Sequence, residues 1–275
     1  MKYKIRFLLG DILGVLIAIA IFVVPFIFML TNALKERREA NLLGLSWPTD
    51  PQWQNFVEVF QTNNYQIVRG FRNSAILVVG GVFCLILVGS MAGYVIQRRK
   101  DKLMSNIGFL IMIGLMIPPT IMPTIWVLEL LGIYRTLFGM IMVQTALQIP
   151  FTVMLYRGYM GSVPVELEEA GYIDGCSRWR IFFSIVMPLL KPVTATVIIL
   201  NAITIFNDFM NPLYFLPGVQ NVTIQVTMFN FMGQLGNEFH LLFANAILIT
   251  VPMLILFLFF NKRIVSGMAA GAVKG

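Results

Sequence analysis

Amides and hydroxyls recur at helical spacing inside two apolar stretches of the chain. Gln144, Thr145 and Gln148 precede Pro150, with positions 144 and 148 one turn apart. Asn201, Thr204 and Asp208 follow one another at offsets of three and four and so share one face of a helix, with Asn207 beside Asp208. Apart from Asp208, these side chains present donors and acceptors without net charge, which suits holding a hydroxyl-rich solute better than making or breaking bonds. Two polar faces on two apolar segments fit either a hydrated path between helices or hydrogen bonds that hold a bundle together. Asp208, near the end of its stretch, also fits a water interface. No nucleophile–base pair accompanies these groups. Cys84, Cys176 and the single His240 do not form a metal-ligand spacing, and no Gly-x4-Gly-Lys-Ser/Thr phosphate loop is present. The sequence therefore assigns no catalytic residue and no metal ligand.

The elements that carry these residues belong in lipid. Of 275 residues, 58% are hydrophobic and 12% charged, and the mean hydropathy is +0.80. Soluble domains carry about 25% charged residues, so a soluble globular enzyme is excluded, and so is a disordered chain. A transmembrane helix needs about 20 mostly apolar residues. Six stretches qualify, at about 8–30, 74–96, 107–130, 137–156, 193–213 and 241–260, which predicts an all-α membrane protein of six transmembrane helices. The first stretch is too long for a signal peptide and lacks a small-x-small cleavage site after Leu30. The third should be broken or kinked by Pro118, Pro119 and Pro123. The longest polar stretch, 31–73, leaves no room for a separate soluble domain, so residues 1–275 read as a single transmembrane domain.

Lysine and arginine orient the spans. Lys2, Lys4 and Arg6, the Arg98–Lys102 turn, Arg157, Arg178, Arg180, Lys191, Lys262, Arg263 and Lys274 fall on one side. Only Lys35, Arg37, Arg38, Arg69, Arg72 and Arg135 fall on the other, and 217–239 carries neither lysine nor arginine. Both termini are thus expected in the cytoplasm. The net charge of +7 reads as a topology signal directed at the membrane surface, with no call for a nucleic-acid partner. Asp11 and Glu129 lie near span ends, and no deep chain of acids and histidines exists, which argues against a proton-coupled carrier.

The loop at 157–192 is the most informative segment. Ser162 is placed as a helix N-cap and Pro164 in a first turn, while Glu166, Glu168 and Glu169 complement the positive end of a helix. Gly171 and Gly175 should keep that helix short and let a partner approach closely. With Tyr172 it reads as a docking peg, followed by an amphipathic piece at 179–186 and a return to the membrane through Pro188 and Pro192.

Glu169-Ala170-Gly171, Gly175, Ile185 and Pro188 match the E-A-A-x3-G-x9-I-x-L-P loop of ABC-importer permeases, with Gly171 for an alanine and Met187 for the leucine. Ile173, Asp174 and Gly175 fit the fuller E-A-A-x-I-D-G-A form of carbohydrate permeases, with Cys176 at its final alanine. Pro25, Asn73-Ser74, Ala92-Gly93-Tyr94, Asn207-Asp208-Phe209, Pro212-Leu213 and the ending 267–275 extend the resemblance to the maltose-type inner-membrane permease family, although Phe206 stands where that family usually has Trp. The resemblance implies a type I ABC-importer permease fold in a prokaryotic cytoplasmic membrane. It also implies a second related permease, a cytoplasmic ATPase dimer and an extracytoplasmic solute-binding protein as partners. ATP and magnesium would be used by the ATPase, with no cofactor on this chain. Glu168, Glu169, Ala170, Gly171, Asp174, Gly175, Ile185 and Pro188 would form the ATPase-coupling loop. Gln144, Thr145, Gln148, Asn201, Thr204, Asn207 and Asp208 are candidates for the translocation path, and the 217–239 loop is a candidate contact for the binding protein. The tail at 261–275 would bring Gly271, Lys274 and Gly275 to the ATPase, unless it is a free tail whose Lys274 reaches the lipid headgroups. A sugar or oligosaccharide is the expected cargo. A glycerol phosphate or a polyamine is the alternative, although no deep basic or acidic cluster supports either.

Overall fold

Proline sets the first visible break. In the computed structural model one helix ends at Ile113 and the next starts at Ile121, with Pro118 and Pro119 in the non-helical link and Pro123 in the first turn of the second. The third apolar stretch is thus two short helices, α4 (Lys102–Ile113) and α5 (Ile121–Leu130), as the lost amide donors require. Asp101 caps α4: its Oδ1 accepts the Met104 N–H at 2.9 Å, and chiefly that bond holds its carboxyl below the usual range.

The structure describes residues 11, 12, 14–233 and 236–272, with side-chain surroundings given as far as 255 except at 236 and 237. Lys2, Lys4, Arg6, Lys274 and Gly275 lie outside the described residues. The other elements are α1 (Gly14–Ala33), α2 (Arg37–Ala40), α3 (Gln54–Arg98), α6 (Leu137–Met160), α7 (Glu166–Ile173), α8 (Arg178–Leu189), α9 (Lys191–Asn207) and α10 (Met210–Phe215). A 3-10 turn (Gln225–Phe231), a two-residue hairpin of β1 (Met232–Gly233) and β2 (Gly236–Asn237), and α11 (Phe239–Ala272) complete the chain. Among the described residues α1, α3 and α6 are each long and apolar enough to cross a membrane. The α8–α9 pair qualifies as one span bent by 75°, while α4, α5 and Phe239–Ile255 are shorter apolar helices.

Several boundaries depart from expectation. Helix α3 starts at Gln54, twenty residues before the expected second span, so much of the 31–73 stretch is helical. It is interrupted at Thr62–Tyr65, where Asn63, Asn64 and Tyr65 take positive φ. The fifth stretch breaks at Asp208, and the last helix runs through the expected tail as far as Ala272.

The contacts divide the chain into two units: Met1–Val68 with Val226–Ile255, and Arg69–Gln225 with Leu256–Gly275. In the first, α1 buries almost nothing against the chain except at its end. There Asn32 donates to the Phe28 and Gly44 carbonyls (2.8 and 3.0 Å), and Lys35, fully buried, donates to Gly44 O at 2.8 Å. Asn55 ties the same turn by donating to the Ala33 and Lys35 carbonyls. Lys35, counted among the basic residues of the outer side, is thus a buried staple.

The second unit holds both polar faces and the 157–192 loop. Within lipid the hydrophobic effect gives little helix–helix attraction, so close packing and polar bonds must supply it. Gly89 and Gly93 on α3 meet α6 at Thr152 and Tyr156: an added Cβ would lie 2.6 Å from Thr152 Cγ2 and 2.7 Å from Tyr156 Cβ. Leu77, Leu85, Met140, Val143, Ile205 and Phe215 close one core, and Tyr156, Met160, Ile181, Val186 and Val197 another. Asn73 donates to the Gln220 and Val222 carbonyls (3.1 and 2.9 Å), and Ser74 Oγ accepts the Ile224 N–H, stitching 220–224 to α3.

Candidate functional site

Polar groups of α6, α9 and α10 meet around one cavity of about 390 Å³. Gln144 and Gln148 face it from α6, and Ile203, Thr204 and Asn207 from α9. Asp208 and Asn211 complete the lining. The break that ends α9 is organised by Asp208. Its Oδ1 accepts the Asn211 backbone N–H at 3.2 Å, and its Oδ2 accepts from Asn211 Nδ2 at 2.8 Å and from Gln144 Nε2. One carboxylate thus caps the start of α10 and ties it to α6. Asn207 Oδ1 accepts from Gln225 Nε2 at 3.3 Å.

Of the seven residues proposed for a path, five line this cavity: Gln144, Gln148, Thr204, Asn207 and Asp208. The other two do not. Asn201 is buried, donating to Thr152 Oγ1 at 3.3 Å and to Val197 O at 2.8 Å, so it bonds α9 to α6. Thr145 turns its hydroxyl back onto Ile141 O at 2.7 Å. The polar faces thus bond the two helices at Asn201 and line a cavity at Gln144, Gln148, Thr204, Asn207 and Asp208. Asn211 escaped the sequence reading; its signal was an Asp three residues before an Asn-Pro pair, the spacing of a helix cap.

The 157–192 loop forms the second cluster. Helix α7 starts without a side-chain cap at Val165, and Ser162, expected to cap it, donates to Tyr159 O at 2.7 Å instead. The three acids at the start of α7 separate by direction. Glu166 and Glu169 are exposed, while Glu168 points inward. Glu168 Oε2 accepts from Tyr94 OH at 2.8 Å, and Oε1 takes both Nε and Nη2 of Arg98 at 2.7 Å. Arg98 Nη2 also donates to Val163 O at 2.8 Å. The two charged side chains are only 16% and 6% exposed, so this ion pair bolts α7 to the end of α3.

Gly171 is buried as well, with an added Cβ falling 2.8 Å from Ile185 Cδ1 and 3.2 Å from Ile181 Cγ1. Its missing side chain admits the chain's own α8, where the sequence reading had reserved the space for a partner. Ile185 packs inward there, and Pro188 lines a separate cavity with Lys191 and Phe183. Gly175 has φ +75° and open space around it. Cys176 N–H bonds Gly171 O at 3.0 Å and Gly175 N–H bonds Tyr172 O at 3.1 Å, the two bonds of a Schellman cap. The expected docking surface thus divides: Glu169, Ala170, Asp174 and Gly175 face outward, Glu168 and Gly171 inward. Gly271 falls within α11. Among the described residues no group of three or more His, Cys, Asp or Glu could hold a metal ion.

A family model described as the inner membrane component of binding-protein-dependent transport systems matches residues 85–270. The melibiose/raffinose/stachyose import permease protein MelC of Bacillus subtilis (strain 168) is 35% identical over 267 residues, covering 96% of this chain and 95% of that protein. A chain in the crystal structure of a bacterial ABC transporter involved in the import of the acidic polysaccharide alginate superposes with a TM-score of 0.82. It has 19% identity, over 95% of this chain and 97% of that one. A chain of a second alginate transporter structure, in complex with an alginate pentasaccharide-bound periplasmic protein, superposes with a TM-score of 0.66 at 18% identity over 94% of each chain. At these identities the two structures establish the fold.

Proposed function

The chain belongs to the family of inner membrane components of binding-protein-dependent transport systems, and from that premise we propose that it is a permease subunit of an ATP-driven importer for a sugar or oligosaccharide. In this reading it spans the cytoplasmic membrane of a prokaryote six times, with both termini in the cytoplasm, as one type I importer domain. A second, related permease completes the pathway. An extracytoplasmic binding protein delivers the solute near 217–239. A separate ATPase dimer holds the ATP and magnesium, so this chain carries no catalytic residue.

The cavity shared by α6, α9 and α10 carries the proposal. Polar amides in otherwise apolar helices are expensive in lipid unless they face protein or water, and these face a space large enough for a solute. Gln148, Thr204, Asn207 and Asn211 give hydroxyl groups both donors and acceptors. Coupling runs through α7: its exposed face (Glu169, Ala170, Asp174) sits in a cleft of the ATPase, and its buried face passes the motion through Glu168 and Arg98 to α3. Closure of the ATPase on ATP turns the cavity outward, and hydrolysis resets it. Gly271, Lys274 and Gly275 add a second contact to the ATPase.

Uptake by proteoliposomes containing the complete importer tests the cavity. Gln148→Leu with Asn207→Leu removes two amides of the lining without touching the Gln144–Asp208–Asn211 cap. Uptake should fall at least about tenfold, equivalent to about 1.4 kcal/mol, with the ATPase still co-purifying. Wild-type uptake by this variant would remove the cavity from the pathway.

A further inference from the structure

Asp208 alone among the described residues lining the cavity carries a formal charge; the other polar members are the amides of Gln144, Gln148, Asn207 and Asn211 and the hydroxyl of Thr204. We propose that Asp208 makes this cavity a charge filter, admitting neutral saccharides and rejecting saccharides that carry carboxylates. The proposal rests on the cavity being a solute site and narrows the class of solute it takes.

The carboxylate is fixed in place. Its three hydrogen bonds come from Asn211 N–H, Asn211 Nδ2 and Gln144 Nε2, and every donor is uncharged. Among the described residues no lysine or arginine lines the space to neutralise it. The amides that hold the carboxylate spend donors on it that a second carboxylate would need. An anionic sugar therefore meets like charge with no counter-ion among the described lining residues. A neutral sugar meets no such opposition, because hydroxyl groups can donate to the free Asp208 lone pairs and to Gln148 Oε1. Asp208 also caps α10, so its position is set by the backbone and does not depend on a solute being present.

The test compares equilibrium binding of labelled maltotriose and labelled trigalacturonate to the purified complex of both permeases and the ATPase dimer, without the binding protein. The wild-type complex should bind maltotriose at least about tenfold more tightly than trigalacturonate. Asp208→Asn keeps the size of the side chain, and a flipped Gln144 amide can still bond it. This variant should close most of the gap between maltotriose and trigalacturonate. Gln148→Lys leaves the cap untouched, places a cation in the same cavity and should also raise trigalacturonate binding. Equal binding of both probes by wild type, or a gap unchanged in both variants, overturns the filter while leaving the solute site intact. If wild type binds neither probe, the solute-site reading fails and the filter with it.

Discussion

Glu168 is one of three acids at the start of a helix, and its local spacing does not separate it from Glu166 and Glu169. Its partner Arg98 lies 70 residues away in sequence, so only the packing of α7 against α3 distinguishes a buried bolt from two solvent-facing charges. Removing one member of a buried pair leaves an uncompensated charge, so Glu168→Ala and Arg98→Ala should each destabilise the permease by about 3–5 kcal/mol. Thermal unfolding of the detergent-solubilised complex should show the double variant losing much less than the sum of the two. Tyr94→Phe, which removes one hydrogen bond to the same carboxylate, should lose about 1.5–3 kcal/mol. Additive losses for the double variant would mean that the pair is not coupled. The amides at 144 and 148 were legible because helical periodicity alone puts them on a polar face, while Asn207 came from the family resemblance. Asn201 shared that periodicity, yet Thr152 lies opposite it and converts a candidate pathway residue into a bond between helices.

At the level of elements, signals that act along the chain were readable, and those that need a neighbour were not. Proline foretold the gap between α4 and α5, and glycine foretold the short α7. Pro188 and Pro192 flank the 75° bend between α8 and α9, whereas the π-helical turn at Ile181–Val186 and the early start of α3 leave no comparable mark. Gly175 serves the backbone first: with φ +75°, Gly175→Ala should cost about 1–2 kcal/mol, and Gly175→Asn, which tolerates that conformation better, should cost less. The order of melting temperatures, glycine above asparagine above alanine, checks this. Equal melting for all three would mean that the Schellman cap contributes nothing. Gly93 is fixed by approach instead, since its added Cβ would stand 3.0 Å from Arg157 N on α6. Gly93→Val should prise α3 from α6 and lower the yield of folded complex. Normal yield and melting would contradict so tight a crossing.

For the whole molecule, composition alone placed the chain in lipid, and the 157–192 loop with the 267–275 ending pointed to the importer permeases. Among the described residues three helices long enough to span and one bent pair agree with a membrane protein. In the proposed coupling the outward face of α7 takes its motion from a separate ATPase while the inward face is bolted to α3. Ala170 is exposed between Glu169 and the buried Gly171, so Ala170→Trp enlarges the docking face without entering the core. The decisive measurement is saccharide uptake by proteoliposomes holding the complete importer, with ATP or ADP inside, for wild type and Ala170→Trp. Wild type should accumulate solute with ATP and stay at background with ADP. Ala170→Trp should lose both uptake and the bound ATPase while its permease pair melts at the wild-type temperature. Full uptake by Ala170→Trp, or accumulation by wild type without ATP, would contradict the account.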